Sequence, residues 1–516
     1  MRATLWFVLV LAGAVGLWGL RPPAALGPDA LPEEFSAARA IVQLSHFATR
    51  PHPIGSPKNA RVREYLVATL DGLGLTVQVE ETTARLTKVR NIVATLPGTA
   101  HQRAVMLVAH YDSVPEGPGA ADDGAGVISI LETIRALRAG PPLPNDLVVL
   151  LTDGEEAGLL GAAGYVAGHP ELGRRVGVVV NMEARGSSGP ALMFETSEQN
   201  GWLIREFARA APCPVASSLA HAIYRLMPND TDLTELKKSG VGALNFAFTG
   251  TVRDYHTAAD DIAHLDPRSV QQMGMNTLAL ARHFGALPLT KVRAPDVIFF
   301  NWIGCWLIVY PVWVGWILVV ATFLLLFVAF RRGRRNLRLS LVSLAAFFLL
   351  LLVVGGAIGL AGAGLGLVNA KSLGQGDTTG NLFCFIALAG IGFGLGLATL
   401  RWLSGKLGAT NLAGGMLLVL SLLGAVVLWL LPGGSYVVQL PALLGAAGLL
   451  LGWRGSWGLL AALPVTILLA PLAYLFFVNL GLNAVSLGAT ALLVCLLLAT
   501  AWPLFDFLLP VAGKNT

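Results

Sequence analysis

The chain has 516 residues, of which 54% are hydrophobic and only 13% are charged, and its formal net charge is +5. Because soluble globular domains contain about 25% charged residues, this composition excludes an ordinary soluble protein and predicts extensive membrane-embedded segments. The stretch from residue 297 to the end contains only two acidic residues, Asp377 and Asp506, so it supplies the basic excess. We interpret that excess as the mark of cytoplasmic membrane loops, and we expect no nucleic-acid partner.

Residues 4–20 form an apolar run with Arg2 before it and Arg21 after it. The run is just long enough to cross a bilayer as a helix, which predicts an uncleaved signal anchor. The alternative is a cleaved signal peptide, for which residues 23–26 offer only a weak small-residue cleavage site. We favour the anchor and assign residues 1–29 to it.

Residues 30–295 have the composition of a soluble domain, in which apolar β-branched runs alternate with helical patterns. The predicted strands are 75–79, 91–96, 104–109, 147–151, 176–180 and 243–248. The predicted helices are 33–48, 58–73, 126–138 and 267–284. This alternation predicts an α/β domain with a mainly parallel mixed sheet flanked by helices.

Residues 296–516 are repeatedly apolar and predict an all-α multi-spanning membrane domain with about seven spans. The expected spans lie near residues 303–330, 340–366, 381–400, 411–431, 438–452, 457–477 and 486–509. The basic loop 331–338 is expected to be cytoplasmic, which places the α/β domain on the opposite face, on the periplasmic side of a bacterial inner membrane. Because no charged residue lies in the middle of a predicted span, an anchor or assembly platform is favoured over a proton-driven transporter.

The chain contains four cysteines. Cys305, Cys384 and Cys495 lie in apolar runs, and only Cys213 lies in the polar part of the sequence. This distribution predicts no disulfide bond within the α/β domain, and the spacing fits no zinc finger. The cysteines therefore do not indicate a cellular compartment.

Polar side chains follow the predicted strands at the points where those strands end. They are His110 and Asp112 after 104–109, Asp122 at the start of the next helix, Glu155 and Glu156 after 147–151, Glu183 and Arg185 after 176–180, and Tyr255, His256 and Asp260 after 243–248. Each group alone has an ordinary explanation as a polar turn or a helix cap, and the cap explanation fits Asp123 better than Asp122. Because the carboxyl ends of parallel strands meet at one edge of a sheet, the set together predicts one site there.

Neutral imidazole and carboxylate groups are suitable zinc ligands, and two neighbouring metals need a bridging carboxylate. Glu155 is left free in such a site and can act as a general base. We therefore expect two Zn²⁺ per chain. The expected ligands are His110 and Glu183 for one metal and Glu156 and His256 for the other, with Asp122 as the bridge.

These motifs resemble those of the two-zinc aminopeptidase S and aminopeptidase Y family, peptidase family M28, over residues 35–285. The resemblance implies the zinc-exopeptidase fold, which is phosphorylase/hydrolase-like, and it implies the same ligands and the same base. It also implies that Asp112 orients His110 and that Asp260 can orient His256. A further implied role is stabilisation of the oxyanion, for which the candidates are Tyr255 and Arg185.

The chain departs from the well-known soluble members at Glu183, where they have aspartate. The longer side chain keeps the ligand type but can change the spacing of the metals. Residues 50–56 and 228–232 resemble the membrane branch of the family, which includes the vacuolar membrane protease and an endoplasmic-reticulum metallopeptidase. We interpret Asp230 and Asp232 as the cap of a helix before Leu233, with a place in the substrate cleft as the alternative.

The sequence thus predicts a membrane-bound zinc peptidase that hydrolyses the bond at a peptide terminus, with an aminopeptidase favoured. The expected partners are peptide substrates and the lipid bilayer. Two alternatives stay open: a glutaminyl-cyclase-like enzyme with a single zinc, and a non-catalytic membrane scaffold.

Overall fold

The computed structural model describes residues 21–100, 102–227, 229–332, 336–369, 378–451, 460–467 and 484–508, together with Leu11, Ala14 and Trp18. It divides into two compact units, one formed by Leu20–Val309 and the other by Met1–Gly19 with Tyr310–Thr516. Apart from those three residues, the predicted N-terminal anchor lies outside the described part of the chain.

The first unit is built on an eight-stranded sheet with the order β1-β2-β4-β3-β5-β8-β6-β7. Neighbours within β4-β3-β5-β8 are parallel, whereas β1, β2 and β6 introduce antiparallel pairs. The predicted mainly parallel mixed sheet is therefore confirmed. The strands are β1 (Thr76–Ala84), β2 (Thr87–Leu96), β3 (Gln102–His110), β4 (Asn145–Thr152), β5 (Val176–Ala184), β6 (Leu192–Thr196), β7 (Val215–Ala216) and β8 (Gly242–Phe248).

Helices cover both faces of this sheet. The helices are α1 (Ala37–Val42), α2 (Leu44–Phe47), α3 (Pro57–Gly72), α4 (Gly124–Arg138), α5 (Leu160–Gly168), α6 (Leu172–Arg175), α7 (Gly201–Ala210), α8 (Ser218–Tyr224), α9 (Asp232–Leu236) and α10 (Pro267–Ala286). Alternate side chains of β3 enter two different cores, because successive residues of a strand point to opposite faces. Val105 and Leu107 join the core that contains α4 and α10, and Met106 and Val108 join the core that contains α5 and α9.

The prediction differs from the structure in several elements of this unit. The helix predicted at 33–48 is two shorter helices, α1 and α2, the first of which is capped by the Ser36 side chain. Strands β6 and β7 were not predicted, because they are short and lack a long β-branched run. The unit also continues past residue 295 into a two-stranded sheet, β9 (Val297–Asn301) with β10 (Leu307–Pro311).

The prediction that the α/β domain has no disulfide bond is wrong. Cys213, which lies between α7 and β7, is bonded to Cys305 in the turn between β9 and β10. Asn301 holds the same turn, since its side-chain oxygen accepts a hydrogen bond from the Ala216 N–H and its amide donates one to the Pro214 carbonyl. The apolar run around Cys305 is thus a β-hairpin of the first unit and not the beginning of a membrane span.

The second unit is helical. Its described helices are α11 (Val312–Arg332), α12 (Leu337–Asn369), α13 (Thr378–Leu407), α14 (Ala409–Leu430), α15 (Tyr436–Leu450) and α16 (Ala484–Leu508). Within the described part of the chain, four segments are long and apolar enough to cross a membrane: Val312–Arg332, Arg338–Leu365, Phe383–Leu407 and Ala409–Leu430. The predicted span 457–477 lies mostly outside the described residues. Small residues bring helices together as in membrane bundles, since a Cβ on Gly415 would lie 2.6 Å from the Ser343 Cβ.

The disulfide bond gives a stability prediction. Because it closes a loop with a sequence separation of 92, replacing both Cys213 and Cys305 by serine should cost about 2–5 kcal/mol and lower the thermal midpoint of the first unit. The measurement is thermal unfolding of the full chain in detergent, with Cys384→Ser as the control. An unchanged midpoint in the double variant would contradict the stabilising role.

Candidate metal centre

Strand β3 lies where the direction of the chain across the sheet reverses. The helix after β3 leads to β4 on one side of it, whereas β5 lies on its other side and is followed by β8. In open α/β sheets, ligands bind at this point, beyond the carboxyl ends of the strands. His110 is the last residue of β3 and is aligned with Thr152, the last residue of β4. The topology therefore brings the predicted site residues to one edge.

The two oxygens of Asp122 face the two histidines. Asp122 Oδ1 lies 3.2 Å from His110 Nε2, and Asp122 Oδ2 lies 3.2 Å from His256 Nε2. Glu183 Oε2 is 3.8 Å from His110 Nε2, and Glu156 Oε2 is 3.1 Å from His256 Nε2. All five residues that were predicted as metal ligands are thus brought together, in the two expected groups around Asp122.

These side chains fit a divalent metal. Donor atoms of His110, Asp122 and Glu156 all lie within 4.8 Å of one another. Glu156 Oε1 is buried without a hydrogen-bond partner in the described part of the chain. A buried carboxylate oxygen without a partner is costly unless a cation or a proton neutralises it. The donor set of imidazole and carboxylate is the one that zinc takes in proteins.

Asp123 also lies close to His110, but its side chain caps a helix. Donor atoms of His110, Asp123 and Glu183 are also within 4.8 Å of one another. However, Asp123 caps α4, since its two oxygens accept hydrogen bonds from the N–H groups of Gly126 and His110. Asp123 is therefore occupied as the cap of α4, whereas Asp122 faces the two histidines.

The site contains many buried acids close to one another. Burial, with help from nearby acids, raises the pKa of Glu155 and of Glu183 well above the usual range. Burial and the charge of Asp122 raise the pKa of Glu156 to about 7. Burial alone would lower the pKa of His256, but hydrogen bonds to Asp122 and Glu156 raise it to about 10. Carboxylates so crowded take up protons unless a metal replaces them.

Asp112 supports both His110 and Glu155. Its Oδ1 lies 3.5 Å from His110 Nδ1 and accepts a hydrogen bond of 3.1 Å from the Glu155 N–H. The Asp112 backbone carbonyl lies 3.0 Å from the same His110 nitrogen. This placement agrees with the expected orienting role, and it also fixes the start of the loop that carries Glu155.

Asp260 has a different contact from the one expected. Its two oxygens accept hydrogen bonds of 2.6 Å and 3.2 Å from the N–H groups of Ala121 and Asp122. It therefore holds the backbone of Asp122, and among the residues that the structure describes it makes no hydrogen bond to the ring of His256. This contact is set by the fold of the loop before α4, which the sequence pattern does not encode.

Tyr255 and Arg185 lie beside His256. The Tyr255 ring stacks on the His256 ring with a centroid distance of 3.7 Å, and Arg185 Cζ lies 5.8 Å from the centre of the Tyr255 ring. Burial raises the pKa of Tyr255 far above its usual value, so the hydroxyl stays a proton donor. Both groups stand where they could reach an oxygen near His256.

Asp232 belongs to the site but was interpreted mainly as a helix cap. It is 1% exposed, its Oδ2 accepts a hydrogen bond from Thr152 Oγ1, and the cap of α9 is Thr231. Its charge acts on Glu155 and Glu183. The signal that could have found it is its position in a polar stretch shortly before a buried strand, β8.

Comparison with known proteins agrees with this geometry. Residues 91–281, which include every expected ligand, match Peptidase family M28. The first unit carries a peptidase family M28 domain. The resemblance found in the sequence is therefore confirmed.

Two curated relatives bear the names of the membrane branch that the sequence resembles. Human endoplasmic reticulum metallopeptidase 1 is 28% identical over 338 residues, which cover 60% of this chain and 36% of that protein. The vacuolar membrane protease of Schizosaccharomyces pombe is 30% identical over 294 residues, which cover 52% and 34%. The chain spans about a third of the length of these curated relatives.

Solved structures similar to the M28 domain include enzymes of two kinds. An aminopeptidase from Aneurinibacillus has a TM-score of 0.41 and 14% identity, covering 51% of this chain and 98% of its own. A glutaminyl cyclase from Porphyromonas gingivalis has a TM-score of 0.40 and 21% identity, covering 47% and 96%. Similarities of this size do not distinguish the two activities.

The role of Asp260 gives a binding prediction. Asp260→Asn replaces one of the two acceptors for backbone N–H groups with a donor, so the bridging residue should be held less well. We expect zinc affinity to fall about 10–100-fold, the usual cost of losing a group that orients a ligand. The measurement is zinc titration against a competing chelator, with Asp261→Asn, which removes an exposed carboxylate next to it, as the control. Equal affinities in the two variants would refute the role.

Proposed function

We propose that the chain is a membrane-bound zinc aminopeptidase with two metals, in which Glu155 is the general base. One observation carries this proposal: the two oxygens of Asp122 face two imidazoles, and each imidazole has its own glutamate. Glu155 neighbours this set without being needed as a ligand. Membership of the domain in family M28 supports a metallopeptidase.

The ligand residues would hold the metals in two groups that share Asp122. They are His110 and Glu183 on one side and Glu156 and His256 on the other. Zinc bound there would polarise the scissile carbonyl and make a water molecule more acidic. Proton transfer and stabilisation of the oxyanion would be carried out by other residues of the site.

Glu155 is suited to move the proton. Its backbone is fixed by Asp112, and its half-buried carboxylate lies among acids that raise its pKa. A carboxylate held next to the ligand residues can accept a proton from the attacking water. Glu155 then delivers that proton to the amine that leaves when the peptide bond breaks, which restores the carboxylate.

Tyr255 and Arg185 are the proposed donors to the developing oxyanion. Their positions next to His256 support the proposal, since donors fixed before the reaction stabilise the charge that forms in it. The acid excess of the site supports action at the amino end. Asp232 is a buried carboxylate outside the expected ligand set and would complement a substrate α-ammonium group, whereas a carboxypeptidase site needs a cation for the substrate carboxylate.

We further propose that the M28 domain lies on the non-cytoplasmic face of a multi-pass membrane protein. Two observations support this. Disulfide bonds persist in oxidising compartments, and Cys213 is bonded to Cys305 within this domain. The basic residues Arg331 and Arg332 lie in the last turn of α11, and basic residues at the end of an apolar helix favour the cytoplasmic side for that end.

The proposal is tested with peptides whose ends are modified one at a time. The purified full chain with zinc should release the first residue of a peptide with a free amino end. It should not act on the same peptide when the amino end is acetylated, because the acetylated nitrogen has no charge for the buried acids. A zinc chelator should stop the reaction, and added zinc should restore it. Removal of residues from the carboxyl end instead would contradict the proposal, and ring closure of an amino-terminal glutamine without any peptide cleavage would favour the cyclase.

The same assay tests the base. Glu155→Gln should lower kcat by about 10²–10⁴-fold, since general-base catalysis contributes that much, while zinc binding stays close to normal. Glu64→Gln, which changes an exposed glutamate on α3, is the matched control. Undiminished turnover in Glu155→Gln would rule out Glu155 as the base.

A further inference from the structure

The hairpin formed by β1 and β2 extends beyond the edge that carries the site. Strand β2 is antiparallel to β4, with Ile92 opposite Leu151. Since β4 ends at Thr152, the part of β2 from Asn91 back to Thr87 lies past that end. At about 3.4 Å per residue, the tip stands roughly 14 Å beyond the carboxyl edge of the parallel strands. The hairpin therefore borders the site on the side of β4.

The outer part of this hairpin is fixed next to the loop that carries Glu155 and Glu156. Ala84 and Val89 of the hairpin pack with Leu160 and Ile54 in one small buried cluster. The N–H of Arg90 also donates a hydrogen bond of 3.1 Å to Asp153 Oδ2. These contacts keep the hairpin in a fixed position next to the loop.

The tip itself reaches the same loop. A Cβ placed on Gly158 would lie 3.3 Å from Nη1 of Arg85. Gly158 follows closely after Glu156, and its N–H donates a hydrogen bond to the Glu155 carbonyl. The guanidinium of Arg85 is thus at the rim of the site, a short distance outside the ligand residues.

The residue types at the tip are unfavourable for the backbone conformation of the turn, and they are not needed for packing. The turn consists of Arg85 with φ of 46° and Leu86 with φ of 70°. A two-residue turn with both φ angles positive strongly prefers asparagine and glycine, because a Cβ is unfavourable there. Leu86 is 98% exposed and packs on nothing that would repay this cost. Strained positions of this kind are common at ligand sites.

Arg85 differs from the other cations of the hairpin. Lys88 and Arg90 both form ion pairs with Glu81, at 3.1 Å and 2.9 Å. Arg85 forms no ion pair or hydrogen bond with any residue that the structure describes. An arginine without an acidic partner, held at the rim of an acidic site, is available to a carboxylate from outside.

We propose that Arg85 forms a binding subsite for a carboxylate of the substrate, on the part of the peptide that leaves after cleavage. The inference rests on the proposed function, since it takes the amino end to be held by the buried acids. The rest of the peptide must then extend outward to the exposed rim. With about 3.3 Å per extended residue, the terminal carboxylate of a tripeptide lies about 10 Å from its amino end and can reach the rim. The substrate class is therefore short peptides with a free carboxyl end, or peptides with an acidic side chain at that distance.

The test compares three tripeptides that differ only at the last residue: a free acid, an amide, and an amide with an acidic side chain. The full chain with zinc should have a kcat/KM about tenfold higher for a carboxylate-bearing peptide than for the plain amide, as expected for one charge-assisted hydrogen bond at a partly exposed site. The free acid and the acidic amide show which carboxylate is recognised. Arg85→Ala should reduce this ratio to near one, and Arg85→Lys should restore part of it.

Lys88→Ala is the matched control, because it removes a neighbouring cation that already has a partner, and it should keep the wild-type ratio. Binding of the same peptides to a Glu155→Gln background separates the subsite from the reaction. A tenfold preference in binding that Arg85→Ala removes supports the subsite even if the wild type cleaves no peptide, a result that would count against the proposed function alone. Equal binding of acid and amide, or a preference that survives in Arg85→Ala, would overturn the subsite.

Discussion

The structure depends on the burial of many carboxylates at one edge of a sheet with few cations to balance them. Asp122, Glu156 and Glu183 face two imidazoles, and Asp232 is a further buried acid that is bonded to Thr152. Such a cluster is stable only if protons or metal ions offset the repulsion. The raised pKa values of the glutamates describe the first solution, and metal binding is the second. A site of this kind exchanges protons for metal, so its metal affinity depends on pH.

The apolar sheet around this cluster fixes the positions of the residues that form it. Both faces of β3 and β5 are buried under helices, so the positions of their last residues are fixed by packing. The loops add what the strands do not provide. Asp260 holds the backbone of Asp122, and Asp112 holds both His110 and the start of the Glu155 loop. These contacts thus restrict motion in the places where a small shift would separate the donor atoms of His110 and Asp122.

Much of the site was predictable because it follows a simple pattern, in which a buried strand ends and a ligand residue comes next. His110 and Glu183 were found in this way, and the family resemblance added an order of motifs. The pattern fails where a contact depends on a loop, as with the partner of Asp260. The pattern also fails where an apolar segment could form either a membrane span or a β-hairpin. The apolar run around Cys305 looks like a span, and only the pairing of β9 with β10 distinguishes the two. The turn at Arg85 and Leu86 was not predictable either, because it lacks the glycine or asparagine that marks such turns.

The helical unit contains four described segments that are long and apolar enough to cross a membrane, and the M28 domain contains the cluster of possible metal ligands. The most direct test of this account is X-ray absorption at the zinc edge on the zinc-loaded full chain. The account predicts two zinc ions per chain, each with nitrogen and oxygen ligands only, and a metal–metal distance of about 3.5–4 Å. A single zinc without a metal neighbour would contradict the bridging role of Asp122 and, with it, the proposed mechanism.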